Sequence, residues 1–410
     1  MTPTQIPPGF EEMVAPMRLA HEDILARLAQ YGHIIPDYPT FVVAGNPRGV
    51  AAAKAHPMQG ILKYHGLADW AWRTAFLPSI SVTNDAAHSL TLVEFDPDLD
   101  EDIATIGDQP ATPRELERVT QSLDAVRQIA RIGSRARVTS RNIVQGGKTG
   151  KGLGTSASGS AALAMAAIAA AFGPEIVRNT RFVSAISRLL AGSGCRVATG
   201  GVSLWLSYPG IAHEDSFAVR LDDKNQLAEM KLITVPIDSR IGLKTELAHI
   251  EAPKSPLFKN WMRQRRAETL QVMDAVQTGD WLTVAQFAEY DSIHLHAVTM
   301  TGGTVHKLFA WEPENITLFR LCDDLRAQNI PVYFSTDTGP TMVLLTHKRH
   351  VLDVVQQIQA AGFAAISGGI GEGATLVDVE ETRRELRSMK QFYTLHTSYL
   401  IPLNSLLPVR

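Results

Sequence analysis

A glycine- and hydroxyl-rich loop followed by a long apolar segment constrains this chain more than any other feature of its sequence. Residues 152–159 read GLGTSASG and lead directly into an alanine-rich run that ends at Phe172. The apolar part spans about 14 residues, which is too short for a bilayer span and predicts a helix buried in a globular core. Small residues before such a helix let the backbone approach an anion, and the first N–H groups of the helix point at it. We therefore predict a phosphate-binding helix from about Ser156 to Phe172; a plain helix capped by a hydroxyl side chain is the alternative.

The residues just before this loop imitate a Walker motif without completing it. Residues 147–149 read GKT, but the glycine that the motif requires five positions earlier is Asn142. Lys151 is followed by glycine rather than by serine or threonine. The sequence therefore does not predict a P-loop fold. Lys148 and Lys151 are either phosphate contacts or exposed loop residues.

Composition excludes several classes of protein. The chain has 410 residues with a formal net charge of −3, which does not favour nucleic acid or an acidic membrane surface as a partner. Two cysteines, Cys195 and Cys322, do not make a disulfide scaffold. The first residues lack the basic and apolar pattern of a signal peptide. We expect a cytoplasmic protein that does not bind membranes.

Strand-like and helix-like patterns alternate twice along the chain. Helical spacing from about residue 9 to 31 predicts an N-terminal helical extension, residues 1–45. Alternating elements then fill residues 46–220, and the pattern restarts over 221–410. We predict an α+β fold with two domains and an active-site cleft between them.

Several motifs indicate a family. The segment GLGTSASGSAAL (152–163) resembles the phosphate loop of the GHMP kinase superfamily, in particular that of the mevalonate diphosphate decarboxylase family. Four other segments resemble motifs of that family in the expected order, and a fifth, YDSIHLHAVTM (290–300), is a weaker match. The four are ILKYHGLADWAWRTAFLPSISVTND (61–85), PRELERVTQSLDAVR (113–127), GSGCRVATGGVSLW (192–205) and YFSTDTGPTMVLLTH (333–347). The resemblance implies a GHMP-kinase-type fold, ATP and Mg²⁺ as cofactors, and a homodimer.

The resemblance also implies roles for individual residues. Asp337 matches the catalytic aspartate that handles the proton of the substrate's C3 hydroxyl, and Lys63 lies beside it. Without the resemblance, Asp337 reads equally as a turn cap and Lys63 as a residue at the edge of a sheet. The residues implied to bind substrate are Tyr64, Arg118, Ser193 and Arg196, with surface ion pairs as the alternative for the two arginines.

The nucleotide site is implied in the same way. Ser156 is expected to help bind Mg²⁺ as well as ATP. The full set of implied ATP-binding residues is Asn142, Lys148, Gly152, Gly154, Thr155, Ser156, Ser158 and Gly159.

One motif departs from the family pattern. The family's KYWGKRD reads KYHGLAD here, so Leu67 replaces a lysine and His65 replaces a tryptophan. The loss of one cation favours a substrate with one phosphate fewer, mevalonate 5-phosphate, as in the phosphomevalonate decarboxylases. The alternatives are the 5-diphosphate as substrate, a kinase that stops at the 3-phosphate, and a non-catalytic relative that binds a small molecule.

Overall fold

The computed structural model describes residues 2–144, 154–240, 243–303 and 308–387. Lys148, Lys151 and Gly152 lie outside these ranges. Within them, the helices are α1 (Glu11–Gln30), α2 (Pro113–Ala130), α3 (Thr155–Phe172), α4 (Thr180–Ser187), α5 (Gly194–Thr199), α6 (Thr245–Glu251), α7 (Phe258–Thr278), α8 (Trp281–Gly302), α9 (Pro313–Ala327) and α10 (Val351–Ala360). The strands are β1 (Val50–Ala55), β2 (Met58–Leu62), β3 (Leu67–Asp69), β4 (Thr74–Ala75), β5 (Ser79–Thr83), β6 (Ala87–Asp96), β7 (Ile103–Ile106), β8 (Gln109–Pro110), β9 (Arg135–Val144), β10 (Val202–Trp205), β11 (Ala218–Arg220), β12 (Met230–Val235), β13 (Val332–Thr336), β14 (Met342–His347), β15 (Ile366–Gly368) and β16 (Thr375–Val377).

The largest sheet has the strand order β16-β1-β6-β9-β7-β8. All its neighbouring pairs are antiparallel except β7 with β9. Strand β16 comes from the far end of the chain, and its Val377 pairs with Ala52 of β1. The sheet of the N-terminal half is therefore completed by a strand from the C-terminal half. The domain boundary near residue 220 remains a prediction.

Helix α3 is the core of the N-terminal half. Apart from Gly159, every residue from Ala157 to Ala171 is buried. A Cβ at Gly49, just before β1, would lie 1.7 Å from the carbonyl oxygen of Ala170, so the chain passes the helix too closely for any side chain. Among the described helices, α3 alone is long and apolar enough for a membrane span, and most of it is enclosed by the protein. The predicted buried helix is confirmed and begins one residue earlier than expected.

Two four-stranded sheets carry the residues of the predicted site. Their orders are β11-β10-β5-β2 and β13-β14-β12-β15. The edge strands β2 and β13 meet, because the Ser335 hydroxyl donates a hydrogen bond to the carbonyl of Gly60 at 2.7 Å. This contact brings Lys63, which follows β2, close to Asp337, which follows β13.

The N-terminal helix α1 spans the two halves of the chain. Met13 and Met17 pack in one apolar cluster with Phe258 and Trp261 of α7, whereas Ile24 lies in another cluster with the β2 and β5 sheet. The predicted N-terminal helix is confirmed, and its apolar face is covered by the rest of the protein.

Helix α8 is longer than the sequence pattern indicates. The pattern predicts helices over 258–278 and 281–290, and the second continues to Gly302. Its last three turns bury the polar residues Asp291, Ser292 and His296, which interrupt the apolar period of a core-facing helix.

Candidate active site

A cavity of about 280 Å³ lies among α3, α5, α6 and the ends of β2 and β13. We call it the first cavity. It brings together residues from segments that are far apart in sequence, which is the main expectation for the predicted site. The predicted residues that line it are Lys63, Tyr64, Gly154, Thr155, Ser156, Ser193, Arg196 and Asp337.

Lys63 and Asp337 form an ion pair in this cavity, with Nζ 2.8 Å from Oδ1. The lysine side chain is 1% exposed and the aspartate side chain 36%, so the pair opens to the cavity through the carboxylate. Lys63 Nζ also donates to the Gly60 carbonyl at 2.7 Å and to the Ser335 hydroxyl at 2.6 Å. Burial lowers the pKa of the Lys63 ammonium, while the charge of Asp337 acts in the opposite direction.

Asp337 sits in the tight connection between β13 and β14. Thr336 pairs with Met342 at the end of this hairpin, so residues 337–341 form the turn. Ser335, two residues earlier, also accepts a hydrogen bond from Gln59 Nε2 at 2.8 Å. The turn is therefore anchored to β2, and the carboxylate has a fixed place beside Lys63.

Arg196 also lines the first cavity, in a part that we call the Arg196 wall, and is fully buried on the short helix α5. Its guanidinium donates to the Ser79 hydroxyl and, at 3.6 Å, to the sulfur of Met58. It stacks 5.2 Å from the ring centre of Tyr64. Across the described ranges no carboxylate pairs with Arg196, and its Nε has no hydrogen-bond partner. Burial lowers the pKa of this guanidinium.

A buried arginine without a carboxylate is costly unless an anion binds it. Ser193 immediately precedes α5 and lines the same wall. Tyr64 packs edge-on against Trp205 with ring centres 4.8 Å apart, and burial raises the pKa of its phenol. The wall thus offers a cation and two hydroxyl groups to an anionic ligand.

Two histidines, His65 and His249, also line the first cavity. The rings of His65 and His249 pack in a tilted arrangement with centres 4.7 Å apart, and His249 Nδ1 accepts a hydrogen bond from the backbone N–H of Gly66 at 2.9 Å. Burial lowers the pKa of His65 to about 4 and that of His249 well below its usual value, so both rings are neutral at pH 7. The segment TELAHIE around His249 matches no motif, so sequence reasoning did not identify it.

A second cavity of about 270 Å³ adjoins the first at Thr155 and Ser156. We call it the second cavity. Asn142, Arg118 and Gly159 line it, together with residues of β6, β7 and β9. Asn142 and Gly159 thus lie where the predicted nucleotide residues gather.

Arg118 does not join the other residues predicted to bind substrate. It lies in the second cavity, and its Nη2 donates to the backbone carbonyl of Leu190. Its Nε has no hydrogen-bond partner within the described ranges. Arg118 thus lines the second cavity, but it is near enough to Tyr64 of the first cavity for their charges to interact, and its role in substrate binding stays a prediction.

Ser158 lies behind the cavity walls. It is fully buried, its hydroxyl is 2.7 Å from the Ser89 hydroxyl, and it donates to the Thr155 carbonyl at 3.1 Å. Ser89 in turn donates to the side-chain oxygen of Asn142 at 2.6 Å. The Ser158 hydroxyl is thus satisfied inside the protein, and among the described residues it lines neither cavity.

The start of α3 differs from the expected hydroxyl cap. The residue before the helix is Gly154, with φ of 71°, and no side chain caps the helix. A Cβ on Gly154 would lie 2.7 Å from the carbonyl oxygen of Met58, so the position requires glycine for both space and conformation. The alternative of a plain helix capped by a hydroxyl side chain is therefore wrong. Thr155 and Ser156 instead line both cavities.

Leu67 and Cys195 are both buried. Leu67, which replaces the family lysine, lies in β3 and is 5% exposed. Cys195 donates its thiol hydrogen to the Gly192 carbonyl at 3.0 Å, and burial raises its pKa to about 12. Cys195 is thus a buried structural thiol.

Known proteins resemble this chain along most of its length. Residues 55–218 match the model of the diphosphomevalonate decarboxylase-like N-terminal domain. Phosphomevalonate decarboxylase of Haloferax volcanii is 35% identical over 334 residues, which are 81% of this chain and 98% of that protein.

Comparison with solved structures indicates the same family. The mevalonate diphosphate decarboxylase from Enterococcus faecalis superposes with a TM-score of 0.72 at 26% identity, over 81% of this chain and 99% of that one. A complex of MDDEF with MVAPP, AMPPCP and magnesium gives 0.73 at the same identity and coverage. ATP-analogue and magnesium binding therefore occur among its structural neighbours. With this fold and these relatives, the chain belongs to the phosphomevalonate and diphosphomevalonate decarboxylase family of carboxy-lyases, on the GHMP-kinase fold.

Proposed function

We propose that this protein converts mevalonate 5-phosphate to isopentenyl phosphate and CO₂ in an ATP-dependent reaction, as part of the mevalonate pathway. One observation carries the proposal: a single cavity is lined both by the Lys63–Asp337 ion pair and by Arg196, a buried arginine that pairs with no carboxylate among the described residues. A substrate with a reacting hydroxyl near one end and anionic groups beyond it is complementary to this arrangement.

At the ion pair, Asp337 accepts the proton of the C3 hydroxyl as that oxygen takes up the phosphoryl group. Lys63, 2.8 Å from Oδ1, holds the carboxylate in place. The C3–O bond then breaks with departure of phosphate, the bond between the carboxyl carbon and C2 breaks with release of CO₂, and its electron pair forms the new C=C bond.

At the Arg196 wall, the guanidinium provides a planar set of donors for carboxylate or phosphate oxygens. Ser193 and Tyr64 add hydroxyl donors. Because the hydrogen-bond partners of this guanidinium among the described residues are the Ser79 hydroxyl and the Met58 sulfur, both uncharged, a bound anion supplies the negative charge that the protein does not.

The nucleotide is expected at the start of α3, where Thr155 and Ser156 face both cavities. ATP supplies the phosphoryl group, and Mg²⁺ offsets the charge of its phosphates. The donor set fits such an ion, because Mg²⁺ prefers oxygen ligands and is usually bound by phosphate oxygens, waters and few protein groups, and Thr155 and Ser156 carry hydroxyl oxygens at this place. Ser156 is the proposed hydroxyl ligand, and Asn142 and Gly159 are proposed to line the nucleotide site.

The choice of the monophosphate rests on charge. At the position of the family lysine stands Leu67, which is buried in β3 and adds no cation to the cavity. The similarity to a phosphomevalonate decarboxylase supports the same substrate. Mevalonate 5-diphosphate is the second candidate, because several solved neighbours are mevalonate diphosphate decarboxylases.

The test supplies ATP and Mg²⁺ with either mevalonate 5-phosphate or mevalonate 5-diphosphate and measures CO₂ and ADP. We expect both products, with the higher kcat/KM on the monophosphate. A higher kcat/KM on the diphosphate contradicts the substrate assignment. Formation of ADP without CO₂ contradicts decarboxylation and makes the protein a kinase, and absence of turnover on both contradicts an enzymatic role.

We also propose a cytoplasmic homodimer. Two buried, unpaired cysteines are compatible with a reducing compartment. Light scattering after size-exclusion chromatography measures the mass directly, and a mass of one chain contradicts the dimer.

A further inference from the structure

We propose that helix α8 sets the geometry of the Lys63–Asp337 pair, and that Asp291 on this helix is a positioning residue that acts through the backbone of Lys63. The activity part of its test rests on the proposed function. The structural part does not.

Asp291 is completely buried and accepts hydrogen bonds from three residues, one that follows β2 and two on α7. Its Oδ2 accepts from the backbone N–H of Lys63, and its Oδ1 accepts from Trp261 Nε1 at 2.7 Å. Arg265 Nη2 lies 2.9 Å from Oδ2 and 3.1 Å from Oδ1, and its side chain is also fully buried. One carboxylate therefore ties the residue that follows β2 to both α7 and α8.

The same helix holds the strand that carries Asp337. Glu289 accepts from the backbone N–H of Phe334 at 3.1 Å, and Ser292 accepts from that of Thr336 at 3.1 Å. His296 Nε2 lies 2.9 Å from the Thr336 hydroxyl. Positions 289, 292 and 296 share one face of a helix, so α8 presents a row of polar groups to β13.

Both residues of the ion pair are thus held in place by helix α8. Lys63 is fixed through its own backbone and Asp337 through the backbone of the preceding residue. A buried ion pair such as Arg265–Asp291 contributes little net stability compared with apolar packing, but it fixes geometry. Here the geometry it fixes is the 2.8 Å contact between Lys63 and Asp337.

The variant Asp291→Asn tests this directly. Both carboxylate oxygens accept N–H donors, so either orientation of an asparagine amide places its NH₂ group against Lys63 N–H or against Trp261 and Arg265. We expect kcat on mevalonate 5-phosphate to fall by about 10- to 100-fold, since small misplacements of reacting groups have effects of this size, while KM changes little. Amide hydrogen exchange at Lys63 should rise.

Trp261→Phe is the matched control. It removes one donor from the same buried carboxylate and leaves the bond to Lys63 in place. We expect lower stability with near-normal kcat and unchanged exchange at Lys63. If Asp291→Asn matches this control in kcat and in Lys63 exchange, the inference is wrong.

Ser292→Ala provides a second variant that approaches the pair from the other side. It removes the acceptor of Thr336 N–H, and we expect faster exchange at Thr336 and a lower kcat with unchanged KM. Normal kcat and normal exchange in this variant contradict the role of α8. If the unaltered protein has no decarboxylase activity, the proposed function fails, and the exchange measurements still decide the inference.

Discussion

The two walls of the first cavity are built in opposite ways. At the Lys63–Asp337 wall, the ammonium of Lys63 is satisfied by three protein oxygens, two of them outside the ion pair. At the Arg196 wall, the guanidinium has only the Ser79 hydroxyl and the Met58 sulfur as hydrogen-bond partners among the described residues, and neither is charged. The first wall is preorganised by the protein, and the second keeps hydrogen-bonding capacity for a ligand. The difference indicates that chemistry belongs to the first wall and recognition of an anion to the second.

Asp337→Asn should have the largest effect on the function of the Lys63–Asp337 wall. The amide cannot act as a base and removes the charge that faces Lys63. We expect kcat to fall by about 10²- to 10⁴-fold with the fold retained, in line with the loss of a general base. Release of CO₂ and circular dichroism measure the two outcomes. Near-normal turnover would remove Asp337 from the mechanism.

Gly60→Ala should perturb the same wall sterically without changing any charge. The added Cβ would lie 2.8 Å from Lys63 Cδ and 3.0 Å from Asp337 Oδ1, so the pair must shift. We expect about a 100-fold lower kcat, as for a displacement of reacting groups by about 1 Å. Gly133→Ala is the control, because a Cβ there meets nothing within 4 Å. Equal kcat in the two variants contradicts the importance of the pair's geometry.

Two buried arginines, Arg188 and Arg196, differ in how fully the protein itself satisfies their hydrogen-bond donors. Arg188 is fully buried and donates to the carbonyls of Trp72, at 2.8 Å, and Ser216, so the protein itself satisfies it. Arg196 has no comparable set of partners. We expect Arg196→Gln to raise KM for mevalonate 5-phosphate by about 10- to 100-fold, the value of a hydrogen bond to a charged group. Arg188→Gln should lower stability and leave KM unchanged.

These two substitutions are read by steady-state kinetics and by urea denaturation. A KM effect in Arg188→Gln as large as that in Arg196→Gln would show that both arginines act through the fold. An unchanged KM in Arg196→Gln would show that the anion binds elsewhere.

The smallest effect is expected from His65, on the pH dependence of the free energy of unfolding. The pKa of His65 is about 4 in the folded protein and that of an unfolded histidine about 6.5, so unfolding takes up a proton between these values. The contribution of the neutral His65 ring to the free energy of unfolding is complete above about pH 6.5 and is lost as the pH falls toward 4. We expect His65→Asn to reduce the loss of unfolding free energy between pH 7 and pH 5 by on the order of 2 kcal/mol. An unchanged difference between the two pH values contradicts a buried, neutral His65.

Some features of the fold and site can be predicted from local sequence. The small-residue loop and apolar run predict α3. The residues STDTGP, which lie between two apolar strand-like runs, predict the turn that carries Asp337. Such features depend on the local properties of neighbouring residues: small size, missing side chains, apolar period and turn propensity. They also carry the resemblance to the decarboxylase family.

Other features depend on the packing of distant segments. Asp291 and Lys63 are 228 positions apart, and nothing near either residue shows that a carboxylate binds that backbone N–H. The weak match at 290–300 was a signal for Asp291, but His249 had none. Arg118 and Ser158 have the residue types of ligands, yet their surroundings turn one toward the second cavity and bury the hydroxyl of the other.

The sequence by itself determined the family, the helix that begins at the phosphate loop, and the residue types of the catalytic pair. Only the tertiary structure decided which polar atoms are already satisfied by the protein and which are left for a ligand. The physical reason is that local structure follows from the conformational preferences of adjacent residues, whereas hydrogen-bond satisfaction depends on groups brought together from across the chain.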